Sequence, residues 1–292
     1  MGLSVEVLPD AGAPQVGVTI TGLPSGSPSV VTVERSTDGR SWDAVRGAVR
    51  EAVTGAAFFR DFVAPLNVDV TYRVTTTAAI TGSSTSSILV PSDTAWLQDP
   101  LDPRTAVPVA IARGPEGVRL LAPSFGDLNR RMAADIVLPQ GSRLPVASLG
   151  VRQAPAGVLL HLRAMAQVQG ALVKAITELV ESAGTVVIRG LPASFGLDPV
   201  AHVIAPDVQD SPVVGGVLGP RRDWVMSVTQ VRAPSPRIAV PWWTYEQVRA
   251  LWEGFSYDDV LAARPGATYL DWLRDPSPAA SGALAARTTE GS

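Results

Sequence analysis

Apolar and polar residues alternate along much of the first third of the chain. Val16, Val18 and Ile20 alternate with Gly17 and Thr19, and Val70, Tyr72 and Val74 alternate with Thr71 and Arg73. A period of two puts each apolar set on one face of a half-buried strand. Val5 with Val7, and Val31 with Val33, repeat the pattern. Gly22, Pro24, Gly26 and Pro28 break the chain between strands, and Ser36-Thr37-Asp38-Gly39 has hairpin-turn composition, in which Gly supplies a positive φ without steric cost. Phe58, Phe59 and Phe62 are read as bulk for a core. Short strands at this spacing predict a β-sandwich over residues 1–90.

Residues 91–105 read as a linker. Within it, the prolines of Trp96-Leu97-Gln98-Asp99-Pro100-Leu101-Asp102-Pro103 impose extended backbone, and Trp96 with Leu97 is too apolar for free solvent. The segment is expected to clasp the flanking domains together; the competing reading is a surface anchor for a neighbouring subunit.

Over residues 106–235 strands are expected at Val107–Ile111, Val118–Leu121, Ile136–Leu138, Pro145–Ala147, Val158–Leu162, Thr185–Arg189 and Asp223–Val231, with another beginning at Val213. In the last long one, Trp224, Met226 and Val228 share a face. One helix stands out, from about Val168 to Ala183. Leu172, Ile176, Leu179, Val180 and Ala183 recur at helical spacing, and Gly184 is placed to cap it in a left-handed conformation.

Residues 236–292 carry an internal repeat. Thr244-Tyr245-Glu246-Gln247-Val248-Arg249, Ser256-Tyr257-Asp258-Asp259-Val260-Leu261 and Thr268-Tyr269-Leu270-Asp271-Trp272-Leu273 follow one another at a spacing of 12 residues. Thr or Ser opens each copy, and Gln247, Asp259 or Asp271 stands three residues on, as in a capping box. Helices this short are marginal alone. The tyrosines therefore dock on the second domain or an adjacent subunit, or else the repeats form a loosely ordered tail.

Composition narrows the function. Of 292 residues, 46% are hydrophobic and 17% charged, so the chain can bury the cores of two domains. The 26 glycines and 25 prolines suit many turns. A net charge of −3 offers no basic excess for a phosphate backbone, so nucleic acid is not an expected partner. There are no cysteines, which removes disulfides, thiol nucleophiles and thiolate metal sites. The N-terminal sequence lacks the basic and apolar segments of an export signal, and no apolar run is long enough to span a membrane.

Candidate chemistry is sparse. His161 and His202 are the only histidines, each in an apolar strand context that suits a hydrogen-bonded structural role. No third ligand type clusters with them, so no metal is expected. Gly215-Gly216-Val217-Leu218-Gly219-Pro220 lacks the Lys-Ser/Thr of a phosphate loop. Asp99 with Asp102, and Asp207 with Asp210, are the closest carboxylate pairs considered for glycan cleavage, but both lie in Pro-containing loops where Asp usually serves turns. No catalytic residue and no cofactor are expected.

Two resemblances carry the reading further. Residues 1–90 resemble a fibronectin type III domain: Leu66 precedes Tyr72 by six residues, the spacing of the corner where the Tyr hydroxyl bonds back to the chain, and Trp42 follows an Arg-Ser-x-Asp-Gly turn. An unrelated sandwich with a buried Tyr remains the alternative. Residues 141–231 resemble minor tail proteins of long-tailed phages infecting actinobacteria. The shared order is a Gly-Ser-Arg-x-Pro turn, a strand at Gly157-Val-Leu-Leu, the helix with Leu172, Gly184-Thr-Val-Val-Ile-Arg, and Arg221-Arg222-Asp223-Trp224 opening a final strand. The Trp96 segment and the terminal repeats fit the same pattern.

These resemblances imply a mainly β protein: a fibronectin type III-like sandwich, a tail-tube/distal-tail-like β-sandwich with one helix, and a helical-repeat tail. They imply a non-enzymatic component of the distal tail or tail-tip ring of a siphovirus, assembled in the host cytoplasm and residing in the virion. Its expected partners are itself in six or three copies, the tail tube protein, the tape-measure protein and the tail hub. Trp96, Trp242, Trp243, Tyr245, Trp252, Tyr257, Tyr269 and Trp272 are candidate interface anchors. The alternative function is recognition of a host cell-wall glycan. An unrecognised hydrolase is a third.

Overall fold

The strict alternation of Val158–Met165 sets the plan of the larger domain. Val158, Leu160, Leu162 and Ala164 are buried, while Leu159, His161, Arg163 and Met165 are half-buried on the other side. The computed structural model describes residues 1–8, 12–78, 81–111, 118–165, 170–214, 220–234, 249, 252–256 and 258–260.

The N-terminal strands are β1 (Gly2–Leu8), β2 (Gln15–Thr21), β3 (Ser29–Ser36), β4 (Asp43–Ala44), β5 (Glu51–Val53), β6 (Ala57–Asp61), β7 (Asp69–Ala78) and β8 (Gly82–Leu89). They form two antiparallel sheets, β1-β2-β6 and β4-β3-β7-β8, with β5 also on β3. Val16, Val18 and Ile20 of β2 meet Val31, Val33, Val70, Tyr72 and Val74 of the facing sheet in one core. Phe59 packs at its edge, whereas Phe58 and Phe62 are buried outside that cluster. Gly17 explains part of this: a Cβ there would lie 2.9 Å from both Leu8 Cδ2 and the Phe58 ring, so only Gly lets these side chains cover the back of β2.

The corner expected at Tyr72 forms differently. Leu66 and Tyr72 are both buried, but the hydroxyl donates to Asp61 Oδ2 at 2.9 Å, a side chain rather than the backbone. Asp61 also pairs with Arg35, so a buried carboxylate organises this end of the sandwich.

Ten strands follow: β9 (Ala95–Gln98), β10 (Val107–Ala110), β11 (Val118–Leu120), β12 (Met132–Val137), β13 (Val146–Arg152), β14 (Val158–Met165), β15 (Val186–Arg189), β16 (Val200–Ile204), β17 (Val208–Val213) and β18 (Arg221–Val231). The expected second sandwich is instead a closed barrel, β14-β11-β10-β9-β15-β16-β18, with β18 returning to β14. The length of β18 makes closure possible. One edge pairs Arg221–Val228 with β14, and the other takes β17 at Arg221–Met226 and then β16 at Thr229–Val231. Trp224, Met226 and Val228 point into the core, as their shared spacing predicts.

The helix α1 spans Gly170–Ser182. Ile176 and Leu179 enter the barrel core, with Leu172, Val180 and Ala183 packed at its margin. Gly184 is not among the residues of positive φ; Ala183 N–H donates to Leu179 O at 2.9 Å, and the chain runs straight into β15. The segment 91–105, read as a linker, supplies barrel strand β9 between β10 and β15.

β9 also joins the domains. The half-buried Trp96 packs against the sandwich core, and its Nε1 donates to Ser92 Oγ at 3.2 Å. Gln98 Nε2 donates to Phe62 O, and Arg46 Nη1 to Pro100 O. Arg189, from β15, reaches Gln98 Oε1, Pro14 O and Ala64 O. Gly190, at φ +80°, lies where a Cβ would meet Thr94 O at 3.0 Å and Leu66 Cδ1 at 3.1 Å, so a side chain would force the domains apart.

Candidate functional site

Two regions depart from an ordinary β protein: the β12–β13 hairpin and the seam between the domains.

The hairpin is rooted in the barrel. Gln153 N–H donates to Arg131 O at 2.8 Å, Ala156 N–H to Asn129 O at 3.0 Å, and Arg130 Nη2 to Gly196 O at 2.6 Å. Beyond that root, residues 133–154 are all exposed. Seven residues at about 3.3 Å each carry the arm roughly 20 Å from the barrel. Pro139-Gln140-Gly141-Ser142 turns the chain, with Gly141 at φ +82° and Ser142 N–H donating to Pro139 O.

The arm carries apolar side chains on both faces, and the second face also holds the Asp135–Ser148 pair. The register pairs Ala134 with Leu149 and Ile136 with Ala147 on one face, and Val137 with Val146 on the other. Ile136 is 65% exposed, Leu149 62% and Val151 89%, and Leu138, Leu144 and Val146 are comparably open. A lone two-stranded hairpin is marginal in water, and exposed apolar patches of this kind are where docking surfaces are found in general. Both strands also leave outer edges free for pairing among the described residues.

The seam is crowded with charge. Arg35, Arg46, Arg189 and Asp61 are each at most 7% exposed. Burial works against the charge on Arg35, yet Asp61 beside it raises its pKa above the usual arginine value. Burial, reinforced by Asp61, pushes the Tyr72 hydroxyl well up. Arg189 is pulled down to about 10, chiefly by burial. His202, 7% exposed, is pulled down to about 4 by burial and by Arg46 and Arg35, so it is neutral at pH 7. Its Nε2 is buried without a hydrogen-bond partner, as is Nε2 of His161.

The structure separates the other candidates. His161 lies on β14 and His202 on β16, strands that flank opposite edges of β18. His161 Nε2 stands 3.5 Å from Asp223 Oδ2, a carboxylate already held by Arg163 at 2.6–2.7 Å. Asp99 and Asp102 serve their turn: Asp99 accepts from Leu101 N–H, and Asp102 caps Pro103–Thr105 and pairs with Arg104. Asp210 pairs with Arg222. Among the described residues no group of three His, Asp or Glu side chains is placed to hold a metal.

Of the aromatic anchor candidates, Trp96 lies in the domain seam, and Trp252 is 6% exposed with its ring edge-on to Phe255 at 5.3 Å. Trp242, Trp243, Tyr245, Tyr257, Tyr269 and Trp272 lie outside the described residues, as does the glycine run 215–219. The capping box of the second repeat is present: Ser256 N–H and Oγ both donate to Asp259 Oδ2, and Asp259 N–H donates to Ser256 Oγ.

Sequence reasoning placed short strands at Ile136–Leu138 and Pro145–Ala147, which touch only the turn-proximal ends of β12 and β13, and it missed their exposure. The available signal was that apolar residues fall at odd and even positions of both strands, where one covered face needs only one set. No known protein family, curated protein or solved structure matches the chain.

Proposed function

We propose that this chain is a structural subunit of the distal tail or tail-tip ring of a long-tailed bacteriophage, with a fibronectin type III-like sandwich and a tail-tube/distal-tail-like barrel. The observation that carries the reading is the rooted arm with apolar side chains on both faces. In a closed ring each arm would lie on the neighbouring barrel or arm, covering both faces and pairing the free edges. The rigid barrel supplies the body of the subunit, and the sandwich, fixed through Arg189 and Gln98, projects from it. The role is mechanical: repeated buried interfaces join the tail tube to the hub, with the tape-measure protein inside.

Mass photometry of the full-length protein, beside a variant with Ile136, Leu149 and Val151 changed to Ser, tests it. A ring of three or six copies that falls to monomers in the variant is expected. A chain that stays monomeric at every concentration, with both proteins behaving alike, would overturn the ring assignment.

Recognition of a host-wall glycan is a second reading, favoured by the polar cleft between the sandwich and the barrel rim.

A further inference from the structure

That cleft has two adjoining compartments, of about 470 Å³ and about 340 Å³, which share Arg35, Asp43, Asp198 and Val200. Each is within the roughly 300–1,000 Å³ typical of small-molecule sites. The sandwich contributes Arg46 and Asp43, and the barrel contributes Asp198, His202 and Arg232.

The floor carries unbalanced charge. Arg35, Arg46 and Arg189 are buried around a single buried carboxylate, Asp61, and Arg35 is bound to it. Arg189 is bonded through Nε and Nη1 to three carbonyl oxygens, while its Nη2 is buried without a partner. Arg46, 7% exposed and lining the cleft, has one hydrogen bond, to Pro100 O; its Nε is buried without a partner, and no carboxylate among the described residues pairs with it. Asp61 and Asp99 act on Arg46 only from a distance, and a desolvated guanidinium with no carboxylate bonded to it is costly, so the site is suited to an anion brought from outside. His202 beside it is held neutral chiefly by burial, with Arg46 and Arg35 adding to the effect.

The rim decides which anion. Asp43 and Asp198 are exposed there. Asp38, also in the cleft wall, is occupied by Arg40 and Ser41 N–H, and Asp198 accepts from Gln230 Nε2 with one oxygen. These carboxylates would repel a bare inorganic anion, but Asp43 and the remaining oxygen of Asp198 can accept hydrogen bonds from sugar hydroxyls. A ligand satisfying floor and rim together carries one carboxylate and several hydroxyls. We propose that the cleft binds an acidic sugar unit, a uronate, with its carboxylate on Arg46 and its hydroxyls on Asp43 and Asp198. The inference rests on the glycan-binding reading and names its ligand class; it does not depend on ring formation.

Calorimetric titration of the full-length protein with glucuronate, galacturonate and their disaccharides tests this, with glucose, galactose, acetate and inorganic phosphate as controls. Uronates should bind and raise Tm, with every control weaker by at least about tenfold, 1.4 kcal/mol. Arg46→Gln should cost uronate affinity about tenfold or more. Asp43→Asn changes an exposed side chain and keeps the fold; it should weaken uronate, while acetate, relieved of one repelling charge, should bind no more weakly than before. Tighter binding by the disaccharides than by the free acids would identify a glycan as the source, and the reverse a free sugar acid. Equal binding of acetate or phosphate, or no uronate binding at all, would overturn the proposal. Binding of neutral sugars that Arg46→Gln leaves intact would keep the glycan reading and remove the uronate site.

Discussion

The β14–β18 pair and the β12–β13 pair are both antiparallel and rich in Val, Leu and Ile or Met, and they belong to the same domain. In the first, every second residue of β14 is buried and β18 places Trp224, Met226 and Val228 against it. In the second, Met132 is half-buried and the remaining strand residues are exposed. Strand-forming composition is thus common to both, and coverage separates them. β14 lies beneath α1 and inside a closed ring of strands, while the arm has only its own partner strand. Apolar surface in the barrel stabilises the fold, and apolar surface on the arm is left uncovered.

The sharpest way to break that comparison is a matched pair of truncations. Leu162→Ala should cost about 2–5 kcal/mol in urea unfolding, from lost burial and the cavity left behind. Leu149→Ala should stay within about 0.5 kcal/mol in the monomer, because nothing covers that side chain. Similar losses at both positions would mean the arm folds back onto its own barrel in solution.

Acid should loosen the seam next, and spare the arm. Folded His202 holds its pKa near 4 against an ordinary 6.5, so the unfolded chain takes up the proton first. The stabilisation is complete above about pH 6.5 and is lost as pH falls from there toward 4. The loss is on the order of 2–3 kcal/mol. Hydrogen exchange at pH 7.5 and pH 5 should show β16 losing protection while the arm changes little, and His202→Gln should flatten the stability slope in that window. An unaltered slope would place the acid sensitivity elsewhere.

The smallest effect belongs to the barrel surface. Asp210→Asn removes the Arg222 pair, which is about one third exposed on both partners, and should cost less than about 1 kcal/mol, less again in high salt. A larger value would make the β17–β18 edge part of the barrel's stabilising core.

Legibility followed the range of each interaction. β2, β7, β14 and β18 were readable because a period of two records one covered face, and α1 was readable from its apolar stripe. The capping box of Ser256 and Asp259 spans three residues and was equally visible. β8 was not recognised, since Gly82-Ser-Ser-Thr-Ser-Ser looks like a flexible linker; it is a strand because β7 offers it an edge from Asp69 to Thr76. β9 was hidden in the same way by its flanking prolines. The seam could not be seen at all: Arg189 and Pro14 stand 175 positions apart and meet only after both domains have folded.

The sequence by itself determined a mainly β chain with its alternating strands, the α-helix α1, its turns and the Ser256–Asp259 cap of the second repeat. Only the tertiary structure decided that the second domain closes into a barrel, that β12 and β13 leave it as an uncovered arm, and that three buried arginines gather near one buried aspartate, which bonds Arg35. The reason is physical. Periodicity encodes that a face will be covered, through contacts among near neighbours, whereas the identity of the cover, and its absence, depends on pairings between residues far apart in the chain.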